Sequence, residues 1–202
     1  MKTRFSSPLS PNEISAIVRR IRKGEIGLFP TDTVYGLGCR ADDVAATARV
    51  FRLKGRPLER TLPLLIGGWD QFDRLCENLR PAFRKRLLAL WPGALTVVVE
   101  ASSEALSLSY HCLNEGTVAV RMPDHPMLRY IIEQTGVPLA GTSANLSGGV
   151  EALTLGMVTS SIQQEVEWGW SENIPHNNAA PSAVVELTGS KPKILRSGSV
   201  TF

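Results

Sequence analysis

The feature that most constrains the fold is an alternation between two hydrophobic periods along nearly the whole chain. Residues 10–24, SPNEISAIVRRIRKG, carry an apolar stripe at Ile14, Ile17, Val18 and Ile21, the spacing of one helix face. Ser10 and Glu13 have the spacing of a capping box, Pro11 suits a first turn, and Gly24 follows a basic last turn. Immediately afterwards EIGLF (25–29) is a short buried-strand run. It stops at Pro30, which has no N–H to give a ladder. The same switch recurs. Helices are predicted near 43–53, 69–76, 81–90 and 126–135, and strands at LPLLI (62–66), ALTVVVE (94–100), TVAVRM (117–122), VPLAGTS (137–143), SAVVEL (182–187) and KILRSG (193–198). Several strands follow one another closely. This favours an α/β fold with a twisted, open, mixed sheet and flanking helices over a regular parallel array. The polar, turn-rich WGWSENIPHNNAAPS (168–182) reads as an exposed loop.

With 202 residues the chain is expected to make one domain, residues 1–202. No run of 18 apolar residues suggests a membrane span, and the basic N-terminus MKTRFSSPLSPNE lacks the apolar core of a signal peptide. A cytoplasmic protein without a membrane partner is expected. Cys39, Cys76 and Cys112 are widely spaced without CxxC, as suits reduced thiols, and His111, His125 and His176 show no ligand spacing. No metal held by the protein alone is expected. Magnesium is a separate matter, since oxygen ligands and phosphates suffice for it.

Five stretches concentrate chemistry. FPTDTVYGLG (29–38) sets the hydroxyls of Thr31 and Thr33 beside the Asp32 carboxylate and Tyr35, with Gly36 and Gly38 free for close approach or positive φ. An ordinary strand-to-helix turn with an Asx cap would also explain it. RVFRLKGRP (49–57) places the point charge of Lys54 and the flat fork of Arg56 around Gly55, a pair suited to a polyphosphate, yet also to a solvated helix end. The spacing is not that of a P-loop. AGTSANLSGG (140–149) gathers Thr142, Ser143, Asn145 and Ser147 among three glycines after a strand, a candidate anion nest. In GTVAVRMPDHP, Arg121 closes an apolar strand and needs an acceptor: Asp124 or a substrate carboxylate. Ser182 and Arg196 stand at the edges of the last strands. Trp91 in WPGALT is expected to pack at a helix-to-strand corner.

In order, FPTDTVYGLG, KGRP, WPGALT, GTVAVRMPDHP, GTSANLSGG, PSAVVEL and ILRSG resemble the YrdC-like domain of threonylcarbamoyl-AMP synthases, in its short single-domain form, over about 12–198. The resemblance implies a twisted open sheet around a concave, positively charged cavity. It implies synthesis of L-threonylcarbamoyladenylate and pyrophosphate from L-threonine, bicarbonate or CO2 and ATP with Mg2+, a nucleotidyl transfer that serves N6-threonylcarbamoyladenosine at tRNA position 37. The KxR and SxN elements fall on Lys54, Arg56, Ser143 and Asn145, which with Thr117 and Arg196 would hold ATP. Thr31, Arg121 and Ser182 would hold threonine, Arg121 facing its carboxylate. Asp32, Thr33, Tyr35 and Thr142 would complete the pocket, and no covalent or acid–base residue is implied. Two departures stand out: Leu65 occupies the place where some members have histidine, and Ala183 replaces a common threonine. Other proteins of the tRNA-modification pathway would be partners, with tRNA or double-stranded RNA a further ligand. An RNA-binding module without catalysis is the alternative, resting on Arg49–Arg60 and on Arg80, Arg84, Lys85 and Arg86. Carbamoyl-adenylate chemistry on another acceptor is a third.

Overall fold

The computed structural model describes residues 1–55, 57, 60–172 and 181–202. Along the chain come β1 (Thr3–Ser6), α1 (Pro11–Arg22), β2 (Gly27–Phe29), β3 (Gly36–Arg40), α2 (Val44–Lys54), β4 (Leu64–Leu65), α3 (Trp69–Leu75), α4 (Pro81–Leu90) and β5 (Leu95–Glu100). They are followed by α5 (Ser103–Leu106), β6 (Leu113–Asn114), β7 (Thr117–Arg121), α6 (Pro126–Thr135), β8 (Leu139–Ser143), α7 (Ser160–Glu165), β9 (Trp168–Ser171), β10 (Ala183–Glu186) and β11 (Lys193–Arg196). The α1 capping box forms as its spacing predicts: Ser10 Oγ accepts from Glu13 N–H, and Glu13 Oε2 accepts the Ser10 N–H at 2.8 Å. Lys54 ends α2, and Gly55 closes it in the left-handed region at φ 59°.

Among the described residues eleven strands form one sheet, ordered β1-β9-β2-β3-β8-β4-β7-β5-β10-β11, with β6 on β7. It is mixed: β2–β3, β3–β8 and β5–β7 are antiparallel, while β1–β9, β2–β9, β4–β7 and β5–β10 are parallel. Because successive strand residues face opposite ways, Leu28 and Phe29, Leu64 and Leu65, and Ala140 and Leu139 fall into two separate cores. One core takes in α2, α3 and α4 through Val50, Phe51, Phe72, Leu75, Phe83 and Leu87. The other takes in α1 and α6 through Ile17, Val18, Ile21, Leu128, Ile131 and Ile132.

This second helical layer covers only part of its face. The register carries one row across the sheet from Leu139 to Leu65, Arg121, Thr96, Val184 and Arg196. Leu139 and Leu65 belong to the α1/α6 core; the rest of the row does not. On that half, β7, β5, β10 and β11 present polar and small side chains where no helix packs. The alternation in these strands separates Val97, Val99, Val118, Val120 and Val185, which are core, from Thr96, Val98, Thr117, Ala119 and Arg121, which face the bare side.

The loop expected at 168–182 begins instead as a strand. Trp168 and Trp170, each 1% exposed, lie between β1 and β2, and a Cβ at Gly27 would run into the Trp168 indole. Alternation in WGWS is a strand signal that its glycine and serine masked. Residues 173–180 of that stretch lie outside the described residues. β1 and β3 also have no counterpart in the sequence reading. In β3, Gly36 and Gly38 permit close approach rather than positive φ: a Cβ would meet the Phe29 ring at Gly36 and the Ala140 carbonyl at Gly38. Trp91 packs as expected, 5% exposed, with Nε1 donating to the Leu95 carbonyl at 2.8 Å.

Candidate active site

A cavity of about 710 Å³ lies on the bare half of the sheet. Its floor is Thr96 and Val98 of β5, Thr117, Ala119 and Arg121 of β7, and Val184 and Glu186 of β10. The turns after β2, α2 and β8 form its walls. The structure brings together Thr31, Thr33, Tyr35, Lys54, Thr117, Arg121, Thr142, Ser143, Asn145, Ser182 and Arg196 in its lining. Asp32 joins through Arg121. Arg56 lies outside the described residues.

The turn after β2 is organised by Thr31. Its Oγ1 donates to the Val34 carbonyl at 2.6 Å and accepts the N–H groups of Thr33 and Val34 at 3.2 Å, a side-chain turn that fixes the loop. Arg121, 7% exposed, uses three donors on this loop and its neighbour. Nη2 meets Asp32 Oδ1 at 2.7 Å, Nη1 donates to Thr33 Oγ1 at 2.9 Å, and Nε donates to the Gly93 carbonyl at 3.1 Å. The internal carboxylate of Arg121 is therefore Asp32, not Asp124. Nor does Asp124 cap α6: His125 is the N-cap, its Nδ1 accepting from Leu128 N–H at 3.2 Å. A guanidinium has five N–H groups, so two remain beyond these three bonds, on a residue that lines the cavity. Tyr35 is fully buried, its hydroxyl accepting from Glu172 N–H at 2.9 Å, and burial first of all pushes its pKa up. Its side chain props the loop from behind.

Lys54 reaches from the end of α2 into the loop after β8. Its Nζ lies 2.7 Å from the Ser143 carbonyl, 3.1 Å from Ser143 Oγ, 3.0 Å from the Asn145 carbonyl and 2.8 Å from Asn145 Oδ1. The lysine of the KxR element thus holds the serine and asparagine of the SxN element. The amides expected to be free there are partly engaged: those of Ala144, Ser147 and Gly149 donate to the carbonyls of Tyr35, Lys54 and Leu146. The anion-binding capacity of this wall rests on hydroxyls and on the Lys54 charge.

On the opposite wall Ser182 Oγ lies 2.9 Å from Thr96 Oγ1. Arg196 is exposed as a residue, but its guanidinium turns inward and donates to the Ser182 carbonyl at 2.8 and 3.1 Å. Desolvation lowers its pKa, the Glu151 carboxylate opposes the fall, and Arg121 adds to it. Thr117 Oγ1 donates to the Asn114 carbonyl at 2.6 Å beside the β6–β7 turn. Leu65 lines the cavity where some relatives were expected to have a histidine, giving that spot an apolar contact. The sequence reading missed Thr96 and Glu151; alternation in LTVVVE could have found Thr96. Among the described lining residues are four cations, Lys54, Arg60, Arg121 and Arg196, and three carboxylates, Glu115, Glu151 and Glu186.

Four residues of the basic clusters elsewhere have internal partners. Arg49 pairs with Glu167 at 2.7 Å, Arg84 pairs with Asp73 and lies over Trp69 at 5.2 Å, Arg86 lies over Phe202 at 5.1 Å, and Arg80 donates to the Gly189 carbonyl at 3.1 Å. No helix among the described residues is long and apolar enough to cross a membrane.

A twisted mixed sheet with a half-open face, and cations and hydroxyls gathered in the hollow it leaves, define an α/β protein whose cavity has the chemistry to suit small anionic ligands. The chain belongs to the Sua5/YciO/YrdC family, described as "Telomere recombination", whose model matches residues 19–198. A Mycobacterium tuberculosis relative is 34% identical over 93% of this chain and 85% of its own length. Threonylcarbamoyl-AMP synthase is the name of relatives from Bacillus subtilis, 33% identical over 96% of this chain and 56% of that protein, and Pseudoalteromonas translucida, 31% identical over 88% and 95%. Among solved structures, Pyrococcus abyssi Sua5 complexed with L-threonine superposes with a TM-score of 0.89 at 30% identity, covering 99% of this chain. This chain spans 58% of that protein. Escherichia coli YciO, at 23% identity, shares the fold with a TM-score of 0.83, covering 100% of this chain and 98% of its own.

Proposed function

We propose that this chain is a threonylcarbamoyl-AMP synthase, a nucleotidyltransferase that joins L-threonine, bicarbonate or CO2 and the AMP moiety of ATP, releasing pyrophosphate. One observation carries the reading: a single cavity gathers the residues expected to hold threonine (Thr31, Arg121, Ser182) and those expected to hold ATP (Lys54, Thr117, Ser143, Asn145, Arg196). Its volume, about 710 Å³, lies within the usual range for small-molecule sites, about 300–1,000 Å³. The naming of the relatives supports the same reading.

The chemistry follows from the placement. The two unused N–H groups of Arg121 receive the threonine carboxylate, while Asp32 and Thr33 hold the guanidinium rigid. The threonine amine, freed of its ammonium proton, attacks CO2 and releases a second proton to give the carbamate; from bicarbonate, water leaves instead. A carbamate oxygen then attacks the α-phosphorus, and pyrophosphate leaves. Neither step needs a covalent enzyme intermediate; positioning and charge stabilisation supply the rate. Lys54 sets the Ser143–Asn145 wall against the phosphates, and Arg196, on the ATP side, donates to the carbonyl of Ser182, on the threonine side. Bound substrates would have to cover the carbamate in this half-open cavity, because a carbamate loses CO2 readily in water. Magnesium would be carried on the triphosphate, whose charge it would neutralise, since oxygen ligands and phosphates suffice for it.

Purified protein incubated with ATP, labelled bicarbonate and L-threonine should release pyrophosphate only when threonine is present. Threonine-independent release, or none, removes the synthase reading. Delivery of the product to tRNA with other pathway proteins, in the cytoplasm, follows from this proposal.

A further inference from the structure

The cavity wall carries a carboxylate where two anions are expected to bind. Of its three glutamates, Glu186 accepts from Thr188 Oγ1 at 2.8 Å and faces Lys193 at 3.4 Å. Glu115 is exposed on the turn before β7, at φ 46°. Glu151 is half-buried, and its carboxylate has no hydrogen bond or ion pair with a described residue.

Its backbone is well placed. The carbonyl of the next residue, Ala152, accepts the Tyr35 N–H at 2.8 Å, and the Ala144 N–H donates to the Tyr35 carbonyl at 2.7 Å. Residue 151 is thereby tied to the loop that carries Thr31 and Thr33, the latter bonded to Arg121. Glu151, Arg121 and Arg196 all line the one cavity, and the first two act on the Arg196 guanidinium with opposite sign, after its own desolvation. A carboxylate in a triphosphate cavity opposes binding unless a cation meets it there. An α-amino acid supplies one, because its ammonium sits one carbon from the carboxylate that Arg121 would take.

We propose that Glu151 holds the ammonium group of the amino-acid substrate opposite Arg121, and so selects an α-amino acid over an acid of the same shape without the amine. This rests on the reading of the cavity as a threonine site. The two ends of the zwitterion would then be fixed by opposite charges on separate elements, the end of β7 and the segment after the β8 loop. The amine would be held at the point where its carbamate must form.

The test compares two ligands by calorimetry on the full chain: L-threonine and (R)-3-hydroxybutanoate, which keeps the carboxylate, hydroxyl and methyl but lacks the amine. In Glu151→Gln the preference for threonine over the hydroxy acid should fall at least about tenfold, the size of a charge-assisted hydrogen bond, while MgATP affinity is unchanged. Arg121→Ala should weaken both acids. An unchanged preference in Glu151→Gln overturns the assignment, and so does equal weakening of both acids. Loss of MgATP affinity with threonine affinity intact overturns it too, placing the carboxylate on the nucleotide side. Wild-type protein that binds neither acid removes the threonine reading beneath it, a failure distinct from that of Glu151.

Discussion

Lys54 has three protons and four protein oxygens within 3.1 Å, in a residue 4% exposed. Its role is to shape the phosphate wall as much as to supply charge. Lys54→Met is expected to destabilise the protein by about 1.5–3 kcal/mol, as for loss of a hydrogen-bonded charge, and to raise the KM for ATP. Urea denaturation and steady-state kinetics check the two effects; a variant with native stability and unchanged ATP kinetics refutes both. Arg121 makes a different prediction, because it would be shared between the half-buried Asp32 carboxylate and the substrate. Arg121→Ala should raise the threonine KM far more than the ATP KM. It should also lower stability by about 3–5 kcal/mol, since Asp32 is left without its counter-charge. Equal shifts in both KM values would remove its carboxylate role.

At the scale of the element, the capped helix and the glycine-lined strands make separable predictions. Ser10→Ala removes the acceptor for Glu13 N–H and should lower stability by about 1 kcal/mol with no change in kinetics. Gly27→Ala drives a methyl group into the Trp168 ring, between β2 and β9, and should cost about 1–3 kcal/mol as overpacking. Thermal or urea unfolding measures both, and a neutral Gly27→Ala would mean that β9 can shift aside. The caps, the helical stripes and most strands were legible from sequence, because each depends on neighbours within a few residues. β9 was not. Its two tryptophans sit beside glycine and serine in a stretch of turn formers, and only the flanking strands β1 and β2 turn that stretch into sheet.

At the scale of the whole molecule, stability should depend on pH through His125. Burial lowers its pKa from 6.5, against the opposing pull of Glu172 and then of Asp32 and Asp124. The unfolded chain therefore takes up the proton first. The stabilisation is fully present above pH 6.5 and is lost as pH falls toward the lower folded value. His125→Asn keeps a capping side chain on α6 and should flatten the denaturation midpoint between pH 7 and 5 relative to wild type. An identical slope in the variant would assign the dependence elsewhere. The site's membership was also largely legible: Thr31, Lys54, Arg121, Ser143, Asn145, Ser182 and Arg196 all reach one cavity. Their partners were not. Asp124 is three residues from Arg121 in sequence, yet Asp32, 89 positions away, holds the guanidinium.

The sequence by itself determined where most helices and strands form and which side chains could bind phosphate or carboxylate, because periodicity, capping and residue chemistry are local. Only the tertiary structure decided that α1 and α6 cover half of one sheet face and leave the other half open. It also decided that Lys54 grips the loop after β8 and that Glu151 and Arg121 line the same cavity. Those outcomes depend on strand order and register, which bring together groups far apart along the chain, and no local pattern encodes that distance.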